Sequence, residues 1–276
     1  MFLEILKAII YGIVEGITEW LPISSTGHLI LLEQLLPLEA SDAFMEMFDV
    51  VIQLGAILAV IVLFFHKLNP FSKRKDMIQK KRTWILWFKV VAAVIPSAVL
   101  GFLLDDWMDT HLYNYVVVAI MLMVYGVAFI VVERWNATRR PRIYGVDQIT
   151  YKTAFLVGLF QVLAMVPGTS RSGATILGAI ILGMTRTSGA EFSFFLAIPT
   201  MLGASLLKSV KFVLDGNTMA GNEVICLIVA CLVAFFVSLI AIRGLMDYVK
   251  RHSFSVFGVY RIVLGAAVLL FFLITK

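Results

Sequence analysis

The sequence predicts an all-α polytopic membrane protein with six transmembrane helices and two re-entrant helical hairpins in an inverted-topology repeat. Composition, loop charge and an internal repeat predict this class. Hydrophobic residues make up 61% of the 276 residues and charged residues only 15%, whereas soluble domains carry about 25% charged residues. Several apolar runs approach the ~20 residues that a helix needs to cross a bilayer, which favours helices over a β-barrel. We expect a single membrane domain over residues 1–276.

Basic residues are concentrated in three connections, at residues 66–89, 134–152 and 243–251. The alternating connections, at residues 37–45, 105–114 and 215–222, contain no Lys or Arg. By the positive-inside rule, the first three are predicted to be cytoplasmic and the others extracytoplasmic. The net charge of +5 therefore indicates orientation in a membrane, and we expect no nucleic-acid partner.

Six crossings fit between these connections, and the second three are inverted relative to the first three. They are predicted at residues 47–65, 84–104, 115–132, 191–213, 224–242 and 254–274. The remaining segments, 1–36 and 151–184, must each begin and end on one side of the membrane. Each is about twice as long as a single span, and Pro and Gly interrupt each near its middle. Both observations predict re-entrant hairpins.

Two related polar stretches lie inside these hairpins: EGITEWLPISSTGH at residues 15–28 and QVLAMVPGTSRSG at residues 161–173. An offset of 146 residues aligns Gly12 with Gly158, Glu15 with Gln161, Ser24 with Ser170, Thr26 with Ser172, and Gly27 with Gly173. We therefore divide the chain into repeat A, at about residues 1–135, and repeat B, at about residues 150–276. Each repeat is expected to supply half of one polar site, because interrupted helices of inverted repeats form such sites near the membrane midplane.

Each polar turn precedes an apolar run that is predicted to be helical, at residues 28–36 and 174–182. Free backbone N–H groups at helix starts bind anions. The residues expected at caps or first turns, as phosphate ligands or as simple helix caps, are Ser24, Ser25, Thr26, Gly27, Ser170, Ser172 and Gly173. Arg171 adds a guanidinium that matches phosphate oxygens. A charge within apolar sequence is costly unless it has a function, so Arg171 is expected to bind a ligand. The helix starts, the hydroxyls and the guanidinium together indicate phosphate or diphosphate.

Three further side chains carry chemistry in the first stretch. Glu15 and Glu19 lie four residues apart on one helix face, and two ionised carboxylates beside a phosphate repel each other. Mg²⁺ or Ca²⁺ between them removes the conflict, and a shared proton on one Glu is the alternative. His28 is a candidate general acid, base or nucleophile, although a lone His is often only a core residue.

Together these groups fit phosphoryl transfer, with Ser25 or a water molecule as the attacking group. A polar site within the membrane suits a lipid diphosphate, whose chain lies in the bilayer while its headgroup reaches the hairpins. The inverted repeat also suggests an alternative function, a transporter or flippase for a polyprenyl phosphate. A transporter needs the anion site but neither the carboxylate pair nor the histidine, so we favour hydrolysis.

The two polar stretches, together with FDVVIQLGAILAV from Phe48 and EFSFFLAIP from Glu191, resemble the bacterial undecaprenyl pyrophosphate phosphatase (bacitracin-resistance) family over nearly the whole chain. The resemblance implies hydrolysis of the C55 diphosphate, a divalent cation, and a site open to the extracytoplasmic face of the bacterial plasma membrane. It implies functional roles for Glu15, Glu19, Ser24, Ser25, Thr26, His28, Ser170, Arg171 and Ser172. We expect catalysis by Glu19, Ser25, His28 and Arg171, and metal binding by Glu15 and Glu19. Whether Ser25, His28 or water attacks stays open, as does the oligomeric state, a homodimer included.

Overall fold

The structure is a computed structural model that describes residues 1–275, apart from the side chains of residues 105, 106 and 109. Within this part of the chain it contains twelve α-helices and no strand, which confirms the all-α prediction. The helices are α1 (Phe2–Thr18), α2 (Ser25–Leu35), α3 (Asp42–Val51), α4 (Gln53–Leu63), α5 (Phe65–Leu68), α6 (Met77–Leu112), α7 (Tyr115–Asn136), α8 (Tyr151–Leu163), α9 (Arg171–Ile181), α10 (Arg186–Leu214), α11 (Gly221–Val249) and α12 (Ser255–Thr275).

Six segments of the described chain are long and apolar enough to cross a membrane, as predicted. They are Asp42–Leu63, which combines α3 and α4, Met77–Leu104 in α6, Tyr115–Asn136, Arg186–Leu214, Gly221–Val249 and Ser255–Thr275. The protein is therefore a multi-pass helical membrane protein.

Several helix ends differ from the prediction because capping extends the helices into polar sequence. α6 begins at Met77 rather than at residue 84: Asp76 Oδ1 accepts a hydrogen bond from Gln79 N at 2.7 Å, and Gln79 Oε1 accepts one from Asp76 N at 3.2 Å. This reciprocal pair is a capping box. At its other end the membrane-spanning part of α6 ends at Leu104, as predicted, while the helix continues to Leu112 through most of the connection predicted at residues 105–114. The start of α3 at Asp42 shortens the predicted connection at residues 37–45 in the same way.

The helices of the two halves pack in corresponding pairs. α1 of the first half packs on α11 of the second, α8 of the second half packs on α6 of the first, and α7 packs on α12. Gly12 in α1 lies against the carbonyl of Ala230, and its counterpart Gly158 in α8 lies against the carbonyl of Ala93. A side chain at either glycine would overlap that carbonyl, so both glycines permit the close approach of helices. This arrangement is compatible with an inverted repeat.

The two polar stretches are carried by short helices. α1 and α2 have 17 and 11 residues, and α8 and α9 have 13 and 11 residues. At 1.5 Å per residue these helices are roughly 17–26 Å long, less than the ~30 Å hydrocarbon core of a bilayer. Their lengths are compatible with two re-entrant hairpins whose turns lie inside the membrane.

An ion pair fixes the helix ends that are predicted to be cytoplasmic. Arg186 at the start of α10 donates to both carboxylate oxygens of Glu133 in α7, at 2.9 Å and 2.5 Å. Glu133 Oε1 also accepts a hydrogen bond from the backbone N–H of Phe254 at 3.0 Å, just before α12. One buried carboxylate therefore holds α7, α10 and α12 together.

Candidate active site between the two hairpins

Ser24 and Ser170 begin α2 and α9 in the same unusual conformation. Ser24 Oγ accepts a hydrogen bond from Gly27 N at 3.3 Å, and Ser170 Oγ accepts one from Gly173 N at 3.1 Å. This confirms the prediction that both serines cap helices. Their φ angles are 73° and 71°, and no other non-glycine residue among those described has a positive φ. Such a conformation costs about 1–3 kcal/mol and is typical of functional sites.

At the centre of the site, side chains of the second hairpin form hydrogen bonds with the first hairpin. Arg171 of the second hairpin donates to Glu19 Oε1 from Nη2 at 3.1 Å and from Nε at 3.3 Å. Ser25 Oγ donates to the other carboxylate oxygen, Glu19 Oε2, at 3.0 Å. Ser172 Oγ also reaches the first hairpin, donating to the backbone carbonyl of Glu19 at 2.9 Å. Glu19, Ser25 and Ser172 are all buried, so the charge-assisted bonds in this cluster are shielded from water.

Glu15 lies one turn before Glu19 and differs sharply from its counterpart in the second half. Its side chain is fully buried, and neither carboxylate oxygen has a hydrogen-bond partner. The counterpart Gln161 is also buried, but its amide donates to Ser97 Oγ at 2.6 Å and to Thr200 Oγ1 at 3.1 Å. A buried ionised carboxylate without a partner is strongly unfavourable, so Glu15 requires a cation or a proton.

The carboxylate pair fits a metal ion only if the substrate completes the site. Among the described residues, no group of three or more His, Cys, Asp or Glu side chains could hold a metal ion. Mg²⁺, however, is commonly bound by one or two carboxylates together with substrate phosphate oxygens and water. The unpartnered Glu15 oxygens, next to a Glu19 carboxylate that faces the helix starts, match that ligand set.

His28 lies beside the central cluster but bonds to other groups. Its Nδ1 lies 2.7 Å from the carbonyl oxygen of Ser24, and its Nε2 lies 2.7 Å from the hydroxyl of Tyr260 in α12. A carbonyl only accepts, so Nδ1 carries the proton and, in the neutral ring, Nε2 accepts from Tyr260. The two rings stack at 5.7 Å with an interplanar angle of 9°. His28 forms no hydrogen bond with Glu19 or Arg171 in the described structure.

Arg261, next to Tyr260, holds the two polar turns together. Its side chain is fully buried, and among the described residues its guanidinium donates only to backbone carbonyls. In the first hairpin it reaches Pro22 at 3.2 Å, and in the second it reaches Gly168 at 2.8 Å and Thr169 at 2.9 Å. A further bond reaches Leu122 in α7 at 3.4 Å. Arg261 therefore fixes the relative position of the turns that carry Ser25 and Arg171.

The remaining predicted ligands lie at the same helix starts. Thr26 is partly exposed, and its side chain forms no hydrogen bond among the described residues. Gly27 lies against the side chain of Leu122, and Gly173 lies against the Arg261 guanidinium. A side chain at either glycine would push on these neighbours, so both positions favour glycine.

A cavity of about 670 Å³ leads away from Arg171 between α6, the second hairpin and α10. Its lining includes polar groups, Arg171 and Gln161 among them. Most of the wall is apolar and includes Phe102, Leu206 and Val210. A largely apolar cavity that reaches a guanidinium suits an amphiphile with an anionic headgroup.

The chain is similar to known proteins over nearly its whole length. The family model described as "Bacitracin resistance protein BacA" matches residues 8–267. The chain belongs to this family. A protein of Enterococcus faecalis named undecaprenyl-diphosphatase is 58% identical over 266 residues, which is 96% of each chain. Proteins of the same name from Latilactobacillus sakei and Streptococcus thermophilus are 58% and 59% identical, over 97% and 98% of this chain and 97% and 93% of theirs.

Sequence reasoning selected His28 but missed Tyr260 and Arg261 in this BacA-family protein. Neither residue belongs to the repeated polar stretches, and their segment reads as an ordinary apolar span. A single Arg within that span was the only available signal, because an intramembrane charge usually has a partner. Their connection with the hairpins depends on the packing of α12, which the sequence pattern does not specify.

Replacement of Tyr260 by Phe is expected to lower kcat for phosphate release about tenfold, with little change in KM. The variant removes the hydroxyl that holds His28 Nε2 while the stacked ring remains. Since His28 is expected to assist catalysis as a general acid or base, loss of this orienting bond, worth ~1.4 kcal/mol, corresponds to a tenfold slower reaction. The matched control is Tyr248→Phe. Tyr248, near the end of α11, also stacks on a histidine, His252, with the ring centres 4.6 Å apart. Equal kcat values for Tyr260→Phe and Tyr248→Phe would show that the Tyr260 hydroxyl has no role.

Proposed function

We propose that Glu19, Ser25 and Arg171 form the catalytic centre of an undecaprenyl diphosphate phosphatase. The chain is an enzyme that hydrolyses undecaprenyl diphosphate to undecaprenyl phosphate and inorganic phosphate, the activity for which relatives at 56–59% identity are named. This reaction regenerates a lipid carrier for cell-wall synthesis. The hydrogen bond from Ser25 Oγ to the Glu19 carboxylate, beside the Arg171 guanidinium, carries the assignment of the residues.

In the proposed reaction, Ser25 Oγ attacks the terminal phosphorus of the diphosphate while Glu19 takes the hydroxyl proton. A bond forms from Oγ to this phosphorus, and the bond from phosphorus to the bridging oxygen breaks. Undecaprenyl phosphate leaves with the proton from Glu19. Water then attacks the phosphoserine, and Glu19 passes a water proton back to Ser25 Oγ as inorganic phosphate leaves. Arg171 and the N-termini of α2 and α9 stabilise the phosphate oxygens.

Glu15 and Glu19 are proposed to hold a divalent cation, Mg²⁺ or Ca²⁺, together with diphosphate oxygens. When bound, the cation supplies positive charge that neutralises the diphosphate. The complete burial of Glu15 without any hydrogen-bond partner supports this role. The neutral, fully bonded Gln161 at the corresponding position of the second half supports a single metal site in the first hairpin.

The cavity beside Arg171 is proposed to hold the first isoprene units of the substrate. Its apolar wall includes Phe102 of α6 with Leu206 and Val210 of α10. These residues lie toward the ends of α6 and α10 that the charge distribution predicts to be extracytoplasmic. The headgroup therefore enters from the outer leaflet of the bacterial plasma membrane, while the rest of the polyprenyl chain stays among the lipids.

Phosphate release from the C55 diphosphate by purified protein in detergent with Mg²⁺ tests these assignments. The wild type is expected to release phosphate, and Ser25→Ala is expected to be at least about 10²-fold slower, because the attacking group is lost. Ser205→Ala is the control, since Ser205 is buried in α10 and bonds only the carbonyl of Val50. Wild-type activity in Ser25→Ala would exclude Ser25 as the attacking group and leave water or His28. If the wild type, reconstituted in liposomes, moved the lipid between leaflets without releasing phosphate, the protein would be a transporter.

Glu15→Gln is expected to raise the melting temperature of the protein in EDTA and to abolish its rise with Mg²⁺. Without metal, the substitution removes a buried carboxylate that has no partner, which stabilises the fold. With metal, it removes a ligand of the ion. A metal at a concentration 100-fold above its Kd stabilises the fold by ~2.7 kcal/mol, and the variant loses this gain. A thermal unfolding series with and without Mg²⁺, in the presence of a non-hydrolysable methylene analogue of the diphosphate that completes the site, measures both effects. Glu46→Gln, at an exposed position in α3, serves as the control. An undiminished Mg²⁺ response in Glu15→Gln would place the metal elsewhere.

A further inference from the structure

A second cavity, of about 250 Å³, has a polar wall and lies at the opposite end of the second hairpin from the catalytic cluster of Glu19, Ser25 and Arg171. Residues 139–142, which follow α7, form one wall, and residues 180–183, at the end of α9, form the other. α9 begins at Arg171, so the ten residues from there to Ile181 separate this cavity from the cluster by about 15 Å. The cavity opens on the face that is predicted to be cytoplasmic.

The charge of this cavity is entirely positive. Arg139, Arg140 and Arg142 line it, and none of its lining residues is acidic. All three side chains are exposed, and in the described part of the chain none of them forms an ion pair or donates a side-chain hydrogen bond. Three guanidiniums without a counter-charge around one small cavity attract an anion, and their planar donor groups match phosphate oxygens.

The wall that carries the arginines is held in place by backbone bonds. The N–H groups of Arg142 and Ile143 both donate to the carbonyl of Gly183, at 2.8 Å and 3.1 Å, and Thr185 N donates to the carbonyl of Ile143 at 2.9 Å. The guanidinium of Arg139 lies 3.8 Å from the centre of the Trp135 ring, which is a cation–π contact. The backbone of Arg142 and the guanidinium of Arg139 are therefore held at the cavity without any anion.

The surroundings of the cavity place it at a membrane surface. Its second wall is apolar, with Ile181 and Leu182 partly exposed. Trp135 in the last turn of α7 and Tyr144 in the connection that follows are 41% and 64% exposed, and exposed Trp and Tyr are enriched at membrane–water interfaces. A free anion uses only the arginines, whereas a phospholipid uses both walls, with its phosphate on the guanidiniums and its glycerol and acyl groups on the apolar side.

We propose that this cavity binds the phosphate headgroup of an anionic phospholipid from the cytoplasmic leaflet. Basic pockets between transmembrane helices at this face are suited to such headgroups. The bound lipid would brace the connection between α7 and α8 against the end of the second hairpin. The proposal does not depend on the phosphatase assignment, because no residue of the cavity belongs to the catalytic cluster.

Native mass spectrometry of the intact protein, titrated with phosphatidylglycerol or phosphatidylcholine, tests this proposal. The variant R139Q/R140Q/R142Q is compared with K73Q/R74Q/K81Q, which removes the same charge from exposed positions just before α6 and in its first turns. The wild type and the control are expected to retain phosphatidylglycerol, and the arginine variant is expected to bind it at least about tenfold more weakly. Unchanged phosphate release by the arginine variant in phosphatidylcholine shows that it is folded.

Three outcomes would overturn the proposal. Phosphatidylglycerol binding by R139Q/R140Q/R142Q at the wild-type level would show that the cavity is not the site. An equal loss in K73Q/R74Q/K81Q would show that only the overall charge matters. Inorganic phosphate that competes with phosphatidylglycerol at equal concentration would show a site for a free anion, since the apolar wall would then contribute nothing.

Discussion

Arg171→Ala is expected to lower kcat/KM for phosphate release from the C55 diphosphate by about 10²–10³-fold, the usual effect of removing one buried donor to a transition-state oxygen. The variant also removes two hydrogen bonds to Glu19 Oε1, at 3.1 Å and 3.3 Å. Ser25 and its bond to Glu19 remain, so residual activity is expected. Steady-state kinetics with the purified variant measures the loss.

The matched control for this variant is Arg186→Ala. Arg186 also pairs with a buried carboxylate, that of Glu133, but at the end of the bundle predicted to be cytoplasmic. Its loss is expected to lower stability and to leave kcat/KM of the folded fraction near the wild-type value. Arg171→Lys keeps the positive charge but lacks the planar paired N–H donors of the guanidinium, so it should recover only part of the activity. Equal kcat/KM values for Arg171→Ala and Arg186→Ala would contradict a catalytic role for Arg171.

Arg261→Met is expected to lower both stability and activity strongly. Four backbone carbonyls lose the donor that they share, and each buried group left unsatisfied costs about 1–3 kcal/mol. The melting temperature should fall by roughly 10 °C or more. Because the two polar turns lose their common anchor, kcat of the protein that remains folded should also fall.

Arg261→Lys separates the two effects of that change. Lysine keeps a buried charge but reaches fewer carbonyls, so stability should recover more than kcat does. Thermal unfolding and phosphate release are measured on the same preparations, at a temperature where both variants are folded. Wild-type kcat in folded Arg261→Met would show that the position of the turns does not depend on this guanidinium.

The sequence predicted the membrane class, the six crossings and the two helix starts at Ser24 and Ser170 because these depend on local composition. Apolar runs, the distribution of Lys and Arg, and the serines at positions 24 and 170 each act over short stretches of chain. Helix ends were predicted less well: the capping box at Asp76 and the extension of α6 to Leu112 lie in polar sequence that reads as a connection.

The site was predictable where it lies in the repeated stretches. The structure brings Glu19, Ser25 and Arg171 together, and the paired offsets of the two stretches already suggested such a meeting. The bond of His28 to Tyr260 was not predictable. It depends on α12, which is more than 200 residues away in the chain, and apolar periodicity does not specify which neighbour a helix packs against.

A double-mutant cycle of Glu19→Gln and Arg171→Gln is the most direct test that the two hairpins form one catalytic site. The measured quantity is kcat/KM for phosphate release from the C55 diphosphate by the wild type, both single variants and the double variant. Residues that act as a unit are strongly non-additive. The shared site predicts that kcat/KM of the double variant lies within about tenfold of kcat/KM of the less active single variant. Losses that multiply would contradict it, because each hairpin would then act independently.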